Sequence, residues 1–265
     1  MHKLESQENA PLPKVEFELA SVEDQAGIIK RFYERDNARW IPMFTHAFPQ
    51  LKDAIDKSQS DEDKFIACKT IVETKINTQR EKLLEAQVML ENEWGLINNL
   101  FLSALSQHFE TEWPIDKKIM KAKVSILPIF PRDLNTYSFY VGIRDAEREI
   151  ETTAHEIVHF LWFKKWKEVF PEIPREQYEI PHLVWRLSEI MDPIILQCHP
   201  EIKKLIKPKG WGYTSFEKIK IGDIGMTEHF KNLYLKSVDE GKSFDDILRI
   251  CYAEAQKYEK EISVF

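Results

Sequence analysis

The segment Thr153-Ala154-His155-Glu156-Ile157-Val158-His159 contains an HExxH pattern inside an apolar run. On a helix, positions i and i+4 share a face, so the imidazoles of His155 and His159 can meet at one metal ion. Glu156 points beside that pair, where a carboxylate can hold a zinc-bound water and take its proton. Two imidazoles and a carboxylate among Ile157, Val158, Phe160, Leu161 and Trp162 are costly to bury without a partner, which favours the metal reading over a structural one.

A catalytic zinc site needs a third protein ligand and an open position for water. Glu189, in Ser188-Glu189-Ile190-Met191-Asp192, is the best candidate because it lies on the next expected helix; His182, Glu176 and Glu179 are its rivals. Asp192 follows closely, and a carboxylate there can accept the ring N–H of His155 or His159, fixing its tautomer. Pro193 disfavours helical geometry at Asp192, so the Glu189–Asp192 pair is expected near a helix end.

These residues must be carried by particular elements. Apolar periodicity predicts the motif helix from about Ala146 to Val169, ending before Pro171, and a second helix from His182 to Met191 bounded by Pro181 and Pro193. Upstream, residues 15–19 alternate apolar and charged, as a short strand does, and Ser21 with Asp24 resembles a helix cap. From about Asp61 to Phe109 the pattern stays helical. Residues 123–130 and 136–143 are β-rich, with a turn at 131–135 between them. The chain after 195 is expected to be mostly helical, interrupted by the Gly-rich stretch 209–213.

The predicted class is therefore α+β and predominantly helical, with a small sheet beside the HExxH helix. Three regions are expected: 1–113 helical, 114–195 carrying the catalytic core, and 196–265 helical.

Composition narrows the function. A chain of 265 residues with 43% hydrophobic and 31% charged residues can bury a substantial core. A net charge of -7 argues against nucleic acid as the main partner. Basic clusters such as Lys164-Lys165-Trp166-Lys167 read as solvated faces. No apolar run reaches the roughly 18 residues of a membrane span, so no membrane partner is expected. The polar start, Met1 to Glu8, predicts no secretory signal. Three widely spaced cysteines, Cys68, Cys198 and Cys251, fit a reducing compartment, and a cytoplasmic location is expected.

The segment from about 120 to 193 resembles the gluzincin-type zinc metallopeptidases, in which HExxH on one helix is completed by a Glu on a later one. The resemblance implies a zincin-like core holding Zn2+. It makes His155, His159 and Glu189 the metal ligands, Glu156 the general base and Asp192 the support for a ligand His. It also makes 136–143 an edge strand on which extended substrate lies. The activity it implies is hydrolysis of a peptide or protein substrate. Such an enzyme needs a donor for the oxyanion; Tyr213, in a Gly-flanked segment, and His229 are the candidates, each with a packing role as the alternative. His46, His108 and His199 have no partner at ligand spacing and read as structural.

Overall fold

The structure, a computed structural model, describes residues 11–34, 40–210 and 212–263. The polar start discussed above lies outside the described residues. The chain is mainly helical with a small mixed sheet, as the sequence predicts. Its order is β1 (Lys14–Leu19), α1 (Val22–Glu34), α2 (Trp40–Ala47), α3 (Leu51–Asp56), α4 (Asp61–Phe109), β2 (Ile119–Val124), β3 (Arg132–Asp133), β4 (Ser138–Val141) and α5 (Ala146–Val169). Then follow α6 (Leu183–Cys198), α7 (Pro200–Ile206), α8 (Thr214–Lys218), a β5–β6 hairpin (Lys220–Ile221, Ile224–Gly225), α9 (Met226–Asp239), α10 (Phe244–Lys257) and α11 (Glu259–Ser263). Among the described residues, no helix is long and apolar enough to cross a membrane.

Two compact units are formed from non-contiguous segments, cutting across the three consecutive regions expected from sequence. One comprises Val15–Leu96 and Ile119–Ile150; the other takes Ile97–Lys118, Glu151–Phe265 and, of the described N-terminal residues, those up to Lys14. The division falls within α4 and α5, and periodicity cannot reveal a boundary inside an unbroken helix.

In the first unit, β1 alternates buried Val15 and Phe17 with the more exposed Glu16 and Glu18, the pattern of a half-buried strand. Ser21 caps α1, its Oγ accepting from Asp24 N at 3.0 Å. The sheet order is β1-β2-β4-β3. β4 pairs in parallel with β2, Ala122 opposite Phe139, and antiparallel with β3, Arg132 opposite Phe139. The expectation of an edge strand at 136–143 is thus overturned: β4 has neighbours on both sides, because 131–133 folds back onto it instead of forming a plain turn. Its ladder groups are used internally, so an extended substrate has no open edge there.

Glu149 fastens the start of α5 within the same unit. Its fully buried carboxylate accepts from Gly142 N at 2.7 Å and Arg144 N at 3.2 Å, and pairs with the Arg144 guanidinium. Gly142 permits this approach, since a Cβ there would stand 2.8 Å from Glu149 Oε1 and 3.1 Å from Phe130 Cζ.

In the second unit, α6 is buried on every side from Leu183 to Gln197, as a helix enclosed by other elements must be. It continues through Pro193 to Cys198, a second correction to the sequence reading. A proline inside a helix removes one backbone bond and costs about 3 kcal/mol. Here burial of Ile190, Ile194 and Ile195 on the surrounding helices outweighs that cost. Glu189 and Asp192 consequently sit in mid-helix, rigidly presented. Lys165 departs from the solvated-face reading as well: it is buried, donating to Glu110 O at 3.2 Å and paired with Asp245.

Candidate metal centre

The motif lies in the part of α5 whose residues 156–163 are all buried. Within the second unit, Trp162 packs edge-on to Phe109 and Phe244, with centroids 6.3 and 6.1 Å away, and stacks with Trp166 at 6.1 Å. This aromatic wall fixes the rotation of α5 and turns His155 and His159 towards α6. The His159 ring stacks on Phe163 at 5.9 Å, which stacks on Tyr178 at 4.7 Å. The sequence reading missed Phe163 as a support, although its i+4 spacing from His159 puts it on the ligand face.

His155 Nε2 and His159 Nε2 lie 3.2 Å apart, with the rings nearly perpendicular. Glu189 Oε2 is 3.3 Å from His155 Nε2, and its Oε1 is 3.4 Å from His159 Nε2. Bonds of about 2.0–2.1 Å to a tetrahedral ion set neighbouring donors about 3.3–3.4 Å apart, so the three side chains fit an ion at their centre. His155, His159 and Glu189 are the group among the described residues that could hold a metal, and all three were read from the sequence. The rivals do not join it: His182 is the N-cap of α6, and Glu176 and Glu179 lie exposed at and just after a 3-10 turn.

Asp192, fully buried, reaches the same place from one turn further along α6. Its Oδ2 is 2.9 Å from His159 Nε2 and 4.0 Å from His155 Nδ1. Towards His155 it therefore faces the outward nitrogen, as the sequence expectation required, although beyond hydrogen-bonding distance. Towards His159 it faces the inward nitrogen, which the expectation did not foresee.

Glu156 is buried beside His155 and outside the ligand set. Burial opposes protonation of His155, but the bond to Glu189 and the charges of Glu189, Glu156 and Asp192 outweigh it, raising its pKa to about 9. The ring thus stands in a strongly anionic pocket, matched to a cation.

The two residues proposed as oxyanion donors are carried by α9 and by the start of α8. His229 Nε2 is 2.8 Å from Glu254 Oε1, and the ring packs edge-on to Phe230 and Tyr258. Tyr213 is the N-cap of α8, its ring 6.2 Å from Phe216. His108 and His199 are structural, as read: His108 Nε2 meets Tyr234 OH at 2.9 Å, and His199 Nδ1 caps α7 by accepting from Ile202 N at 3.4 Å. Comparison with protein-family profiles, characterised proteins and solved structures finds no match to this chain, leaving the geometry of the site as the basis for its reading.

Proposed function

We propose that this chain is a zinc-dependent metallopeptidase. The observation that carries the reading is the convergence of His155, His159 and Glu189 with a buried carboxylate, Glu156, next to the first ligand and not among the ligands. A zinc ion in such a site supplies Lewis acidity and lowers the pKa of water towards neutrality. Glu156 is the residue suited to take the proton from the attacking water and return it to the leaving amine. The anionic surroundings of His155 favour a bound cation, and the fixed rotamer of His159 keeps the donors at ligand spacing. The zincin-like core and the cytoplasmic setting belong to the same proposal, with a peptide or protein as substrate.

The distinguishing experiment compares wild type with Glu156→Gln for zinc content, thermal stability and cleavage of a mixed peptide library. Equal zinc and stability with cleavage reduced about 10²–10⁴-fold is the expected result. A wild type that holds zinc yet cleaves no peptide overturns the peptidase reading and leaves a zinc hydrolase of another amide. A second reading, a binding or scaffold protein with structural zinc, needs a fourth protein donor; Asp192, outside the group of three although its Oδ2 is 2.9 Å from His159 Nε2, is the carboxylate that would have to move in to supply it. In that case Glu156→Gln is silent in every assay.

A further inference from the structure

The metal donors come from two helices, and one loop of the same unit is bonded to both. Glu151, one turn before His155 on α5, accepts from Lys209 N at 3.2 Å and Gly210 N at 2.9 Å. On α6, Gln197 Nε2 donates to Pro208 O at 2.9 Å and to Gly210 O at 3.1 Å. Gly212 lies against the turn of α6 that carries the third ligand: a Cβ there would stand 3.1 Å from Pro193 Cγ and 3.4 Å from Glu189 O. Its φ of +75° is also one that only glycine adopts without strain.

We propose that residues 208–210 and Gly212 form a clamp that sets the separation of the two metal-binding helices, with Glu151 and Gly212 as positioning residues. This rests on the metal reading above. Donor atoms spaced 3.2 to 3.4 Å apart tolerate little sliding of α5 along α6, and a metal site functions only within about 0.5 Å of its working geometry. Glu151 fixes the loop to α5 on the side towards His155. Gly212 limits how far α6 can approach the loop at the Glu189 carbonyl, and Gln197 holds the next turns. One loop thereby relates the His pair to the third ligand without touching the ion.

The test uses the full chain stripped of metal, titrated with Co2+ and followed by its visible absorption, with Zn2+ affinity measured by chelator competition. The expected result for Glu151→Ala is about tenfold weaker zinc binding, at the lower end for residues that orient ligands. Its Co2+ bands should shift, with an almost unchanged metal-free unfolding midpoint. Glu151→Gln, whose amide oxygen still accepts from both N–H groups, restores most of the affinity. Gly212→Ala perturbs the bands from the α6 side. If Glu151→Ala and Gly212→Ala bind Co2+ with wild-type affinity and spectrum, this inference fails while the metal reading stands. Weaker binding that merely follows a fall in metal-free stability, without rescue by Gln, also overturns it. A wild-type chain that takes up neither Co2+ nor Zn2+ overturns the metal reading and the clamp together.

Discussion

Asp192 Oδ2 and His159 Nε2 are 2.9 Å apart, so the carboxylate addresses the nitrogen of His159 that faces His155. Asp192→Asn keeps the shape and removes the charge. It should bind zinc on the order of 10–100-fold more weakly by chelator competition if the carboxylate orients a ligand. A loss of stoichiometric zinc on purification would instead mark Asp192 as a ligand in its own right.

His159→Ala and Glu189→Ala should each abolish stoichiometric zinc, measured by metal analysis of the purified chain, because a site with two remaining protein donors binds weakly. His182→Ala, at the cap of α6, should retain it. Full zinc in Glu189→Ala would refute the assignment of the third ligand.

Gly142→Ala forces its Cβ to within 2.8 Å of Glu149 Oε1, in a buried site that cannot simply widen. Overpacking of this kind destabilises by about 1–3 kcal/mol, readable from denaturant unfolding of the metal-free protein. An unchanged midpoint would show that the Glu149 clasp yields freely.

Acid stability should depend on His108. Burial first, and then the charge of His199, lowers its pKa from 6.5 to about 3. Between those values the unfolded chain binds a proton that the folded chain does not. Stability is whole above pH 6.5 and is lost as pH falls towards about 3. His108→Gln removes this titration. The variant should lose about 1 kcal/mol at neutral pH with the Tyr234 bond, yet at about pH 4.5, where this titration costs wild type more than that, the variant should be the more stable of the two in unfolding curves. A constant gap would mean that His108 is not the titrating group.

The helices were legible because their signals are local. Ala146–Val169 and Asp61–Phe109 have the bounds that periodicity gives, and the metal triad follows from one motif plus one later carboxylate. Pro193 misled because its local preference was overruled by packing around α6, which no window of sequence contains. The strand expected at 123–130 is instead Ile119–Val124. There Met120, Ala122 and Val124 are buried between exposed Ile119 and Lys121 and half-exposed Lys123, and the denser apolar run beyond drew the reading away. The pairing of 132–133 with β4 is non-local and left no local signal. On α4, Ile66, Leu84, Val88, Leu96 and Leu100 are exposed, so a residue's place in a periodic stripe did not guarantee its burial.

The sheet margins bear on how the chain behaves in a crowded solution. Long, flat, apolar margins are templates on which neighbouring molecules add strands and build fibres. Here one margin is β3, two residues long, and the other is β1, where Lys14, Glu16 and Glu18 alternate with the apolar positions. The most β-prone stretch, Ser138–Val141, is buried at every position and enclosed between β2 and β3. Aggregation by strand addition is therefore resisted by the brevity of one margin and the charge of the other, where Gln87 of α4 also occupies the Phe17 carbonyl at 2.9 Å.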